Sequence, residues 1–199
     1  MTKNLYRQAK FLLSVAELEQ LPPDSGFEVA IVGRSNAGKS SILNEVTQNK
    51  NLARVSKTPG RTQHLNVFEI DTKRRLVDLP GYGYARVRIG MRDQWQKNIN
   101  TYLHERTCLR GVILVMDIRH PFRDLDLQFL SWCDEESLPV HILLNKADKL
   151  NKTELGRAIK TAEEVLGQYE HPMSFQPFSA LKKTGVKELH EVLNHWFDC

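Results

Sequence analysis

The chain predicts a three-layer α/β/α domain built on a mostly parallel six-stranded sheet with one antiparallel edge strand. Three features predict it. Val29-Ala30-Ile31-Val32 is an apolar strand that runs through a glycine-bounded loop into a helix beginning at Lys39. Gly111–Asp117 and Val140–Leu144 are continuous apolar runs, the pattern of parallel strands covered on both faces. Stretches of helical period separate and follow them, so strands and helices alternate.

Each element has a local reason. Residues 9–20 place Phe11, Leu12, Val15, Ala16 and Leu18 at helical spacing before Pro22-Pro23, predicting a short amphipathic helix. That divides the chain into an N-terminal extension, 1–22, and a main domain, 23–199. The helix from Lys39 to about Asn49 turns Ile42, Leu43 and Val46 inward, and the polar stretch 50–63 reads as a loop. Leu65–Ile70 alternates, Asp71-Thr72-Lys73 turns, and Arg75–Asp78 returns, giving a hairpin. Helical faces follow at Trp95, Ile99, Tyr102 and Leu103, and at Phe122, Leu125, Phe129, Leu130 and Cys133. Asn151 with Glu154 three residues on is a capping box for the next helix. Ser174–Phe178 is the last strand, and Val186, Leu189, Val192, Leu193 and Trp196 line the final helix.

Composition narrows the class. The 199 residues are 41% hydrophobic and 26% charged, ordinary for a globular domain. Three cysteines without CxxC spacing suit a reducing cytoplasm better than a disulfide framework or a zinc site. No apolar run reaches the ~18 residues that a membrane span needs. Phe11–Ala16 is too short for a signal-peptide core. The expectation is a cytoplasmic monomer. Residues 1–123 carry 20 Lys and Arg against 11 Asp and Glu, whereas residues 124–199 carry 8 against 13. The basic half suits a polyanionic partner or is a solvated face; charge alone does not choose.

Gly33-Arg34-Ser35-Asn36-Ala37-Gly38-Lys39-Ser40 matches G-x-x-x-x-G-K-[ST] at every fixed position, and Ser41 follows. The glycines let the backbone curl into a cradle of N–H groups, and the helix adds the positive end of its dipole. Lys39 then meets the β- and γ-phosphates, and the Ser40 hydroxyl is a Mg²⁺ ligand. The bland alternative is a glycine turn before a helix.

Two further motifs fall at the carboxyl ends of strands, where open α/β sheets bind ligands. Asp78-Leu79-Pro80-Gly81 fits D-x-x-G: Asp78 takes a metal-bound water and the Gly81 N–H senses a γ-phosphate. Asn145-Lys146-Ala147-Asp148 fits N-K-x-D, in which the Asp148 carboxylate accepts from guanine N1–H and the 2-amino group together. A site built to pair with such donors rejects an analogue lacking them by roughly 10⁴–10⁵. Ser179-Ala180, after Phe178, brings backbone N–H groups to guanine O6. These features disfavour an ATPase or a small-molecule kinase. A signalling or scaffolding GTPase with a protein effector stays open.

Together these motifs resemble the small-GTPase superfamily, with its Ras-like P-loop fold. Gly33–Ser41 looks like the Era/TrmE/EngA branch. Thr58-Pro59-Gly60-Arg61-Thr62-Gln63 and Asp78-Leu79-Pro80-Gly81-Tyr82-Gly83-Tyr84-Ala85 are similar to the EngB (YihA/YsxC) family. The resemblance implies GTP and GDP as ligands, Mg²⁺, slow hydrolysis, and a role in assembling the large (50S) ribosomal subunit; contacts to rRNA are expected because the basic half holds both switch segments. Bacterial members are also linked to cell division and septation. It makes 23–199 the GTP-binding domain and Gly60, Arg61, Thr62, Gln63 and His64 the first switch. Thr62 becomes the second hydroxyl ligand of Mg²⁺ beside Ser40; on chemistry alone Thr58 competes with it. In the branch, Asn36 helps hold a K⁺ ion across the phosphates; the alternative is that Asn36 only shapes the loop.

One departure bears on catalysis. Ras-like enzymes have a glutamine after the D-x-x-G glycine to orient the attacking water; this chain has Tyr82. A phenol does not reproduce an amide that both donates and accepts. Lys39, Thr62 and Asn36 are then the candidate catalytic groups, with low intrinsic turnover. Arg61 and Arg86 lie in the two switch segments, where they serve catalysis, RNA or solvent.

Overall fold

A computed structural model describes residues 5–53, 64–82 and 99–199. Seven strands form one sheet in the order β1-β3-β4-β2-β5-β6-β7. They are β1 (Lys10–Val15), β2 (Phe27–Gly33), β3 (Leu65–Glu69), β4 (Arg74–Asp78), β5 (Leu109–Asp117), β6 (Val140–Asn145) and β7 (Ser174–Pro177). The helices are α1 (Lys39–Val46), the helical residues 99–105 as α2, α3 (Asp124–Glu135), α4 (Lys152–Leu166) and α5 (Val186–Trp196). β2 pairs in parallel with β4 and β5, and β5, β6 and β7 continue in parallel. β3 runs antiparallel to both of its neighbours.

The sheet therefore has one strand more than the six expected, and the antiparallel strand is not its edge. Residues 10–15 form a strand, not a helix. β1 pairs with β3 from Lys10–Glu69 to Val15–Leu65, with a register shift between Phe11 and Leu13. Without β1 the outer side of β3 would leave its backbone groups unpaired. The irregular register also breaks the period-2 pattern, which is why Phe11, Leu12 and Val15 mimic helical spacing. Val15 is buried, whereas Phe11 and Leu12 stay exposed on the edge. The extension thus contributes a strand to the sheet.

Both faces of the sheet are covered. In β2, Ala30 and Val32 point into one core with Tyr102 and Leu103 of α2, Leu130 of α3 and Ala162 of α4. Val29 and Ile31 point into the other, with Ile42 and Leu43 of α1 and Leu189 and Leu193 of α5. The hairpin turn is fixed by Asp71, whose Oδ1 accepts from the N–H groups of Lys73 and Arg74. α4 begins with the expected box: Asn151 Oδ1 accepts from Glu154 N at 3.0 Å, and Glu154 Oε2 accepts from Asn151 N at 2.8 Å.

One charge lies inside. Glu28, near the start of β2, is fully buried. Its Oε1 accepts from Arg75 Nε at 2.7 Å and Arg106 Nη2 at 2.8 Å. Its Oε2 accepts from Arg106 Nε at 2.9 Å and the Tyr102 hydroxyl at 3.1 Å. Burial pushes this carboxyl upward, but the two guanidinium groups outweigh it and hold Glu28 below the usual range. The cluster ties α2 to β2 and β4 at the amino-terminal end of the parallel strands.

Candidate functional site

The carboxyl ends of β2, β4, β5 and β6 carry the sequence motifs. β2 ends at Gly33 and α1 starts at Lys39, so residues 34–38 form the connecting loop. Asn36 is left-handed, with φ of 64°. Gly38 has φ of 107°, and a Cβ there would lie 2.3 Å from Asn145 Nδ2. Only glycine lets the loop pass so close to the carboxamide. Two loop N–H groups are already committed: Ser35 donates to Tyr82 O at 3.1 Å and Ala37 to Arg34 O at 3.1 Å. The phosphate cradle is accordingly narrower than the whole motif, leaving Asn36, Gly38 and the first turn of α1 for an anion.

β4 delivers Asp78 to the foot of this loop. Leu79 continues the pairing by donating to Ile31 O at 3.0 Å, and Tyr82 donates to Gly33 O at 3.3 Å. Gly81 is thereby pressed on the phosphate loop: a Cβ there would lie 3.0 Å from Ser35 N and 3.2 Å from Lys39 Nζ. The buried Asp78 Oδ1 has no hydrogen-bond partner among the described residues. Burial pushes its carboxyl up to about 6, against the lowering effect of Lys39. A buried carboxylate oxygen without a partner among the described residues, on the strand end beside the Lys39 turn that also carries Ser40, is the donor chemistry of a hard cation and its water. The residues present fit Mg²⁺.

Tyr82 occupies the position where a glutamine was missed. Its hydroxyl donates to Asp126 Oδ1 of α3 at 2.6 Å, and its ring stacks on Phe129 with centroids 6.3 Å apart. The phenol is turned into the protein, so it has no part in orienting a water at the phosphates.

The base motif closes the other side. Asn145 Nδ2 donates to Ala37 O at 2.8 Å. Lys146, left-handed at φ 68°, donates through Nζ to Asn36 O at 3.0 Å and to Asp117 Oδ2 at 2.8 Å. Asp148 Oδ1 accepts from the Ser179 hydroxyl at 2.5 Å, which leads the causes holding this carboxyl below its usual range. Ala147 donates to Phe178 O at 3.0 Å, joining the two base loops. A cleft of about 360 Å³ opens here, lined among others by Gly38, Ser41, Asn145, Lys146, Asp148 and Ala180.

Gly33 to Ser41, Asp78 to Gly81, Asn145 to Asp148 and Ser179-Ala180 are thus gathered at one end of the sheet. Phe178 supports that end differently from a ligand-binding side chain: it is fully buried in the α1/α5 core and serves through its backbone. Gly60, Arg61, Thr62 and Gln63, with Thr58 and Arg86, lie outside the described residues; His64 is exposed just before β3. Sequence reasoning missed Asp117, Asp126 and the cleft-lining Leu181. For Asp117 a signal existed, because it ends a parallel strand at the ligand-binding edge of the sheet.

A mononucleotide fold whose phosphate loop and N-K-x-D loop share a hydrogen bond defines a P-loop GTPase. A family model described as 50S ribosome-binding GTPase matches residues 28–146. The "Probable GTP-binding protein EngB" of Shewanella sediminis is 48% identical over 195 residues, covering 96% of this chain and 89% of that one. Its namesake from Mannheimia succiniciproducens is 49% identical over 192 residues, covering 96% and 94%. The chain belongs to the EngB family of GTP-binding proteins, and it is a GTPase. Among solved structures, a probable GTP-binding protein engB shares the fold at a TM-score of 0.69 and 21% identity, covering 86% of this chain and 98% of that one. An Era structure in complex with MgGDPNP and nucleotides 1506–1542 of 16S ribosomal RNA matches at 0.66 and 22% identity, covering 86% and 57%.

Proposed function

We propose that this GTPase is a nucleotide-gated assembly factor of the large ribosomal subunit, acting as a cytoplasmic monomer, and that cell division and septation depend on it. The observation that carries the reading is the hydrogen bond by which Asn145 joins the guanine loop to the phosphate loop beside the cleft. Such a site holds GTP or GDP. Support for the ribosomal role comes from the family model's description and from the basic charge of residues 1–123. Era, on the same fold, is seen with ribosomal RNA. No helix among the described residues is long and apolar enough to cross a membrane.

The site residues take roles within this proposal. Asn36, Gly38 and the first turn of α1 hold the phosphates, and Lys39 neutralises their charge. Asp148, ionised and steadied by Ser179, reads the guanine edge. Ser40 and Thr62 would hold Mg²⁺ directly and Asp78 through water; bound there, the ion would neutralise charge on the phosphate oxygens. The Gly81 N–H reports the γ-phosphate. Asn36 is a candidate for holding K⁺; equal turnover in sodium and potassium buffers would remove that role. Tyr82 supplies no amide for the attacking water, so intrinsic turnover is low.

Co-sedimentation with 50S particles across a salt series tests the ribosomal role. Tighter binding with a non-hydrolysable GTP analogue than with GDP, weakening steeply with salt, is expected, because phosphate contacts release counterions. Absence of binding in both states would sink the ribosomal role and redirect the search to protein effectors.

A further inference from the structure

Tyr82 is held from two directions. Its backbone forms a short parallel bridge with Arg34: Tyr82 N donates to Gly33 O, and Tyr82 O accepts from Ser35 N. Its side chain reaches away from the phosphate loop to Asp126, the third residue of α3. Asp126 is completely buried, and its other oxygen accepts from the N–H of Arg123 at 3.0 Å, so the carboxylate itself is tied to the start of α3. Among the described residues, the hydroxyl of Tyr82 and this backbone N–H are the side-chain and main-chain donors to its carboxylate. A buried carboxylate cannot surrender such a partner without leaving its charge unpaired. Tyr82 is therefore fixed to the end of a helix that packs on the sheet through Leu130 and Cys133.

The residue before Tyr82 is Gly81, where an added Cβ would lie 3.0 Å from Ser35 N and 3.2 Å from Lys39 Nζ, so its backbone runs close along the phosphate loop. We propose that Asp126 is a positioning residue for the triphosphate state: through the Tyr82 hydroxyl it sets where the Gly81 N–H meets the γ-phosphate. The proposal rests on the reading of Gly81 as the γ-phosphate sensor. Two elements without a phosphate contact of their own, α3 and the Tyr82 ring, thus control one hydrogen bond made only by GTP. The glutamine of Ras-like enzymes has been exchanged here for a side chain that anchors the loop. GDP lacks the γ-phosphate and does not feel the anchor.

That asymmetry makes the test selective. Affinities for GDP and a non-hydrolysable GTP analogue are measured in the full chain for Tyr82→Phe and Asp126→Asn. The phenylalanine ring keeps the packing on Phe129 and removes only the hydroxyl; asparagine keeps an acceptor for the cap of α3 but turns an uncharged amino group to the Tyr82 hydroxyl, which loses its carboxylate acceptor. Both variants are expected to lose roughly tenfold in affinity for the analogue, the scale of one hydrogen bond to a charged group. GDP affinity stays unchanged, and the double variant loses no more than either single one. Equal loss for both nucleotides would mean a purely structural role, and unchanged affinities would mean no role; either overturns the proposal. Gly81→Ala in parallel separates the two levels. If it leaves the ratio of analogue to GDP affinity unchanged, the γ-sensor reading is wrong. If it lowers that ratio while Tyr82→Phe does not, the sensor stands and the Asp126 anchor falls.

Discussion

Asn145 Nδ2 lies 2.8 Å from the carbonyl oxygen of Ala37, so the guanine loop and the phosphate loop are one hydrogen-bonded unit. Both residues are buried, and Gly38 leaves no room for anything but that carboxamide. Lys146 adds a second tie to the same loop at Asn36.

Removing the first tie affects every guanine nucleotide alike. Asn145→Ala leaves the Ala37 carbonyl buried without its donor, which costs about 1–3 kcal/mol. GTP and GDP affinities are expected to fall together by roughly 10- to 100-fold, as measured by fluorescent-nucleotide titration.

Asp78 trades stability for ligand chemistry. Its carboxyl titrates at about 6 in the folded chain against 3.8 in the reference state, because burial disfavours the charge. Between these values the folded state keeps a proton that the unfolded chain has lost, so its stability contribution falls as pH rises from about 4 to 6 and is gone above. Glu28 and Asp117 are held below the usual carboxylate range, so their linkage has the opposite sign, and the difference between wild type and Asp78→Asn isolates Asp78 from them. Asp78→Asn is expected to stabilise the nucleotide-free protein by roughly 2–3 kcal/mol at pH 8 and by little at pH 4. Urea unfolding across pH reads the difference. Hydrolysis is expected to be lost in the same variant.

The Glu28 cluster contributes to the fold away from the site. Glu28→Ala strands Arg75 and Arg106 at the buried end of β2 and is expected to destabilise the protein by about 3–5 kcal/mol. Denaturant midpoints measure this. Nucleotide affinity in the remaining folded protein should be unchanged, since the cluster is at the opposite end of the parallel strands.

How far the sequence could be read follows from how local each contact is. The phosphate loop, the D-x-x-G and the N-K-x-D are contiguous patterns, and their placement at strand ends follows from the alternation of strands and helices. The Asn151–Glu154 cap was legible for the same reason. Pairs such as Tyr82 with Asp126 or Lys146 with Asp117 have partners 44 and 29 positions apart, and no local pattern announces them. Glu28 sits in an apolar strand whose neutralising arginines lie 47 and 78 positions away. β1 was hidden by its irregular register, which replaced the alternation of a strand with the spacing of a helix.

The account stands on Asp148 as the reader of the guanine edge, held ionised by Ser179 at the mouth of the cleft. Changing Asp148→Asn turns one acceptor into a donor at the 2-position of the base. The most direct measurement is a competition titration of GTP against xanthosine triphosphate on wild type and Asp148→Asn. The account predicts that the variant loses GTP by 100-fold or more, roughly the scale for an unmatched polar site, and gains the xanthine nucleotide. Guanine preference retained in the variant would contradict it.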